Sequence, residues 1–173
     1  MPGSSCRVAC TPREISWYSG RARINCSPER DDAEGKSMNW ERRAGVLLHP
    51  TSLVSPFGIG DLGPHARDYV DWLADAGMGW WQVLPLNPDG PGHSPYSSVS
   101  TFAGNPMLIS PEELERVGLV EPADLRDAPA FTNFAVDFEA VVPWKLRMLQ
   151  KAFARFRQSP PEDLEAELES FRQ

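Results

Sequence analysis

Three stretches decide the fold class: Ala44-Gly-Val-Leu-Leu-His49, Pro64-His-Ala-Arg-Asp-Tyr-Val-Asp-Trp-Leu-Ala-Asp-Ala76 and Trp80-Trp-Gln-Val-Leu-Pro-Leu86. The first is a short apolar run closed by Pro50, the pattern of a fully buried strand. The second opens with proline at a helix N1 position, where a missing N–H costs nothing. Ala66, Tyr69, Val70, Leu73 and Ala76 then recur at three- and four-residue spacing, while Arg67, Asp68, Asp71 and Asp75 fall mainly outside that stripe. This predicts an amphipathic helix with Gly77 as its C′ residue. The third stretch reads as a second buried strand. Strand, loop, helix and strand in this succession form a βαβ unit with parallel strands and a right-handed crossover.

Downstream, Ser110-Pro-Glu-Glu113 carries the capping-box pattern of a short helix. A linker rich in Pro, Ala and Asp follows. Val142, Leu146, Leu149, Phe153 and Phe156 then predict a strong helical stripe, which Pro160-Pro161 breaks. Glu162–Phe171 begins another amphipathic helix. With no C-cap signal before the last residue, the chain is expected to be truncated.

At 173 residues, the chain has the length of one domain and is too short for a (β/α)8 barrel, which needs about 250 residues. Its 24% of charged residues and 41% of hydrophobic ones are ordinary globular usage and argue against wholesale disorder. The 17 prolines and 13 glycines suggest a loop-rich molecule. No apolar run is long enough to span a membrane. A net charge of −7 gives no global attraction to nucleic acid or anionic lipid.

Residues 1–37 differ from the rest. They carry more Lys and Arg than acids, hold Cys6, Cys10 and Cys26, and show no sustained hydrophobic period. We expect a disordered leader. The missing apolar h-region argues against a secretory signal. A transit peptide fits the Arg- and Ser-rich composition but not the lack of amphipathic pattern. The expected account is that translation starts at Met38. The cysteines lack zinc-site spacing, and none occurs after Cys26, which fits a reducing, cytoplasmic setting. A plastid location would follow only if residues 1–37 were a transit peptide.

Functional loops of parallel βα units lie at the C-terminal ends of the strands. Here these are residues 50–63 and 87–106. In the second loop, Tyr96 is edged by His93, Ser94, Ser97 and Ser98. An aromatic ring with hydroxyls around it suits a sugar; equally, Tyr96 could pack the loop down. Asp61 in its glycine-rich turn is either a site residue or the oxygen of an Asx turn. His49, at the end of an apolar run, is either a ligand or base or a satisfied structural histidine. Gly58-Ile-Gly60 lacks the context of a dinucleotide loop. There is no nucleophile elbow, and no two carboxylates are obviously placed to share a glycosidic bond. Asp68, Asp71 and Asp75 read as a solvated helix flank.

Ala44-Gly-Val-Leu-Leu-His-Pro-Thr-Ser-Leu53, Gly58-Ile-Gly-Asp-Leu-Gly63, Trp81-Gln-Val-Leu-Pro-Leu86, Ser94-Pro-Tyr96 and Phe102-Ala-Gly-Asn-Pro106 occur in the order and spacing of one family. Together with Val136-Asp-Phe-Glu-Ala-Val-Val-Pro-Trp-Lys145 they resemble the amylomaltases, the 4-α-glucanotransferases called disproportionating enzyme in plants. The resemblance runs through most of the chain after Met38. It implies an α/β fold that is an incomplete (β/α)8 TIM barrel: the first βα units plus part of a helical insertion. It implies transfer of α-1,4-glucan segments between maltodextrins by a retaining mechanism, with starch or glycogen-type glucans as partners and neither metal nor organic cofactor. The family's catalytic acids come from later strands, so no catalytic residue is expected here and the chain should be inactive alone. By the same resemblance Tyr96 would stack on the glucose ring beside the scissile bond. Ser94 would line that pocket, and Asp61 and His49 would sit near its floor. Two other readings stand beside this one: a stand-alone α-glucan-binding protein, and part of a related amylase-type hydrolase.

Overall fold

The computed structural model describes residues 43–172, and the backbone alone of Ile15–Tyr18 and Arg21–Ile24. The remaining leader positions, including Met38 and the three cysteines, lie outside the described residues. The elements are strands β1 (Ile15–Tyr18), β2 (Arg21–Ile24), β3 (Gly45–Leu47) and β4 (Trp80–Gln82), and helices α1 (Pro64–Asp75), α2 (Pro111–Arg116), α3 (Pro122–Arg126), α4 (Phe138–Gln158) and α5 (Glu162–Phe171). Single 3-10 turns occur at Pro50–Ser52 and Pro106–Leu108. The chain divides into two compact units, one of residues 1–49 and 68–85, the other of 50–67 and 86–173.

The first unit is a four-stranded sheet in the order β1-β2-β4-β3. The expected parallel pair is present: Gly45, Val46 and Leu47 of β3 register with Trp80, Trp81 and Gln82 of β4. Both strands are shorter than the apolar runs suggest. The ladder extends by one bond at each end, Gly79 N to Ala44 O and Leu48 N to Gln82 O. Pro50 and Pro85 lie just beyond and have no N–H to carry it further. Trp81 is the centre of this unit. Its ring is buried, its Nε1 donates to Leu48 O at 2.8 Å, and Tyr69 of α1 meets it edge-on at 5.1 Å.

One expectation is corrected here. β3 is not fully buried: it is the outer strand of the sheet, and Leu47 is 56% exposed. Within residues 1–37, expected to be a structureless leader, the backbone of β1 pairs antiparallel with β2, and that of β2 with β4.

Helix α1 ends as its sequence predicts. Gly77 sits at φ +72°, and Gly77 N and Met78 N return to Ala74 O and Leu73 O. Ala66, Val70 and Leu73 are buried, whereas Ala76, just past the last helical residue, is exposed. Asp68, Asp71 and Asp75 are solvated, as read.

Among the described residues of the second unit, α4 contributes to two apolar clusters. Val141 packs with Ile59 and Met107, flanked by Phe131, Val136, Phe138 and Val142. Met148 and Ala152 pack with Leu119 and Val120. The buried face of α4 is Val141, Trp144, Lys145, Met148 and Ala152, one position off the expected stripe. Leu146 and Phe153 are instead exposed.

Ser110 caps α2 as predicted, accepting from Glu113 N. The Glu113 carboxylate does not reach back to complete the box. It accepts from Arg67 and Arg116, which lower its pKa. Helix α3 falls in the stretch read as a linker. It is held by Asp124, which accepts from Glu121 N and from Lys151 and Arg155 of α4.

Candidate functional site

Asp61 lies at the end of the loop following β3. Its Oδ1 accepts from Gly63 N at 2.9 Å, the Asx turn anticipated for this glycine-rich segment. Its Oδ2 lies 3.5 Å from Lys145 Nζ, which also donates to Met107 O at 2.8 Å. Asp61 is 2% exposed and Lys145 0%. Burial raises the Asp61 pKa, opposed by the Lys145 charge and by hydrogen bonds from Gly63, Lys145 and Ser110. Burial lowers the Lys145 pKa, opposed chiefly by Asp61. The Asp61 carboxylate is therefore turned inward as an organiser of its loop. Phe57 of the same loop stacks on Trp144 at 5.5 Å, one helical residue before Lys145.

The loop 87–106 is an ordered structure, as its aromatic content suggests. Asn87 and Asn105 close its base: Asn87 Nδ2 donates to Thr101 O and Ala103 O, and Asn105 Nδ2 to Asn87 O. Asp89 and Ser98 form a bridge further out. Two turns follow one another inside it. His93 N donates to Gly90 O at 3.1 Å, and Ser97 N to Ser94 O at 2.9 Å. Tyr96 is held by its N–H donating to Ser94 Oγ, and the residue is 74% exposed. The reading in which Tyr96 packs the loop down is not what the side chain does: it stands out from the loop.

His93 joins the two turns. It is the one non-glycine residue with positive φ among the described residues, at +54°. That conformation costs a side-chain-bearing residue about 1–2 kcal/mol, so something must hold it. Its ring lies parallel to Phe138 of α4 at 3.9 Å, and its Nδ1 is 2.6 Å from Asp89 Oδ2.

His49 belongs to the sheet unit. Its Nε2 lies 3.2 Å from Pro85 O, joining the segments that leave β3 and β4. The four residues singled out from sequence are held in three different ways. Ser94 and Tyr96 share a turn, Asp61 is sealed against Lys145, and His49 ties two strand ends. Sequence reasoning missed Lys145 and the part played by His93. The Asp89-to-His93 spacing was visible; the partner of His93 on α4, Phe138, was not. Among the described residues no group of three or more His, Cys, Asp or Glu could hold a metal ion, and no helix is long and apolar enough to cross a membrane.

The family model for 4-alpha-glucanotransferase matches residues 48–173. The chain belongs to the 4-alpha-glucanotransferase family. It is 47% identical over 131 residues to the 4-alpha-glucanotransferase of Synechocystis, covering 76% of this chain and 26% of that protein. It is 46% identical over 130 residues to the Thermus thermophilus enzyme, covering 75% and 25%. Against the chloroplastic/amyloplastic 4-alpha-glucanotransferase of Solanum tuberosum it is 44% identical over 149 residues, covering 84% and 24%. Among solved structures it is similar to an amylomaltase from Streptococcus agalactiae in complex with acarbose, with a TM-score of 0.69 and 33% identity over 76% of this chain and 26% of the other. The chain spans about a quarter of the length of the curated relatives it matches.

Proposed function

We infer that this family member supplies the first βα units of an incomplete (β/α)8 barrel and the glucan-facing loop 87–106 of a 4-α-glucanotransferase. The observation that carries the reading is Tyr96, held on a closed turn with Ser94 and 74% exposed. An aromatic face beside hydroxyls is suited to the C–H face and rim of a glucose unit. The substrates are α-1,4-glucans: maltodextrins, and segments of starch or glycogen. In support, the amylomaltase of similar structure is described in complex with acarbose. A cytoplasmic location belongs to the same reading.

The transfer is a retaining one. One carboxylate attacks the anomeric carbon, and a second carboxyl protonates the leaving oxygen and then deprotonates the acceptor, the two about 5–5.5 Å apart. Among the described residues, the acids with fixed partners are not assigned those roles. Asp61 is buried against Lys145, Glu113 is held by two arginines, Asp124 by Lys151 and Arg155, and Asp89 by His93. The chain contributes binding and orientation, and it is inactive by itself.

The test is a replacement. Residues 43–172 take the place of the matched quarter of the Thermus thermophilus relative, and the products from maltotriose are separated by length. Glucose together with longer maltodextrins is the expected result, and the 173-residue chain alone yields neither. A folded replacement protein that performs no transfer, or transfer by the chain alone, would contradict the reading.

A further inference from the structure

We propose that His93 is a positioning residue, whose stack on Phe138 fixes the direction in which Tyr96 presents its ring. The proposal rests on the glucan-facing reading of loop 87–106 for its functional meaning, though not for its geometry. Two turns meet at His93, one closed by His93 N and Gly90 O, the other by Ser97 N and Ser94 O. Each turn is closed by its own backbone hydrogen bond. The angle between them is set by the backbone dihedrals of the residue that joins them, and at His93 φ is +54°. Unaided, a residue with a Cβ leaves that region readily for the commoner negative-φ conformations. Rotation there would swing the Ser94–Ser97 turn, with Tyr96 on it, as a body.

Two contacts oppose that rotation from different directions. The imidazole lies flat on Phe138 at 3.9 Å and 4° between planes, and Nδ1 meets Asp89 Oδ2 at 2.6 Å. Phe138 is the first residue of α4, and α4 is itself anchored by Lys145 against Asp61 and by Trp144 against Phe57. The orientation of Tyr96 is thus referred to a long helix rather than left to a surface loop. Such support of a contact residue by a packed neighbour matters because a displacement of about 1 Å can cost a reaction up to about a hundredfold.

The test uses the full chain with 3-fluorotyrosine in place of its three tyrosines. The Tyr96 fluorine line is assigned by its loss in Tyr96→Phe. His93→Asn keeps a residue that tolerates positive φ but removes the stack; Phe138→Leu removes the other ring. Both are expected to shift and narrow the Tyr96 line while the Tyr69 line stays in place. Phe138→Tyr, its extra line recognised by its absence from the parent, restores the Tyr96 line. A role in global stability alone would lower the melting temperature of both variants and leave the folded-state Tyr96 line where it is. A Tyr96 line indifferent to both His93→Asn and Phe138→Leu overturns the proposal, whatever the protein does to sugars. A line that responds as expected, in a chain whose replacement protein performs no transfer, supports the positioning and counts against the proposed function instead.

Discussion

Lys145 Nζ lies 3.5 Å from Asp61 Oδ2, and neither side chain has meaningful contact with solvent. The pair joins the middle of α4 to the end of the loop after β3, 84 residues away in sequence. A buried pair of this kind is weak evidence of net stability, because desolvation offsets much of the attraction. Breaking it is another matter. Lys145→Met leaves an uncompensated carboxylate and is expected to cost about 3–5 kcal/mol, read as a fall in the urea midpoint. Asp61→Asn added to Lys145→Met removes that charge while an acceptor for Gly63 N remains. The double variant should recover to within about 2 kcal/mol of the parent. A double variant less stable than the single one would mean that the pair is not the relevant contact.

The same relationship explains what could and could not be read from sequence. Helix α1 and the parallel pair β3–β4 were legible because short apolar runs, Pro64 and Gly77 punctuate that stretch by local rules. The face of α4 was misplaced because the pattern of Val142, Leu146, Leu149, Phe153 and Phe156 ranks Lys145 as polar and therefore outward. It is inward because Asp61 and the Met107 carbonyl supply its partners, and no local pattern announces them. Helix α3 was hidden for the opposite reason. It is one short turn whose stability comes from Asp124 reaching α4. Of the site, the Ser94–Tyr96 turn was legible as a cluster of residue types. The His93 stack depended on Phe138, which only the fold brings near.

Asp124 makes stability depend on acid. Its hydrogen bonds from Lys151 and Arg155 lower its pKa from 3.8 to about 2. A depressed carboxyl pKa stabilises the fold fully above the unfolded value, and that contribution is lost as pH falls from about 4 toward 2. Lys151 and Arg155 are both partly solvated, so screening limits the effect to about 1 kcal/mol. Asp124→Asn should lower the urea midpoint near pH 6, and the gap from the parent should close below pH 4. A gap that persists unchanged near pH 2 would contradict the assignment.

Two glycines are required for different reasons, and the difference is measurable. A Cβ on Gly60 would run into the backbone oxygens of Pro50 and Leu53, whereas at Gly77 nothing stands in the way and only the +72° φ resists. Gly60→Ala should therefore cost about 2–3 kcal/mol and Gly77→Ala about 1 kcal/mol. Asparagine, which tolerates the left-handed region, should be milder than alanine at 77 and worse than alanine at 60. Thermal midpoints of the four variants decide it; the same order at both positions would refute the distinction.

Tyr96 is this chain's proposed contact with glucan. In the replacement protein carrying residues 43–172, Tyr96→Ala is expected to lower kcat/KM for maltotriose by about tenfold or more. Its folded signal and melting temperature should remain those of the parent, because the side chain is already exposed. An unchanged kcat/KM in an otherwise active Tyr96→Ala protein would contradict the account.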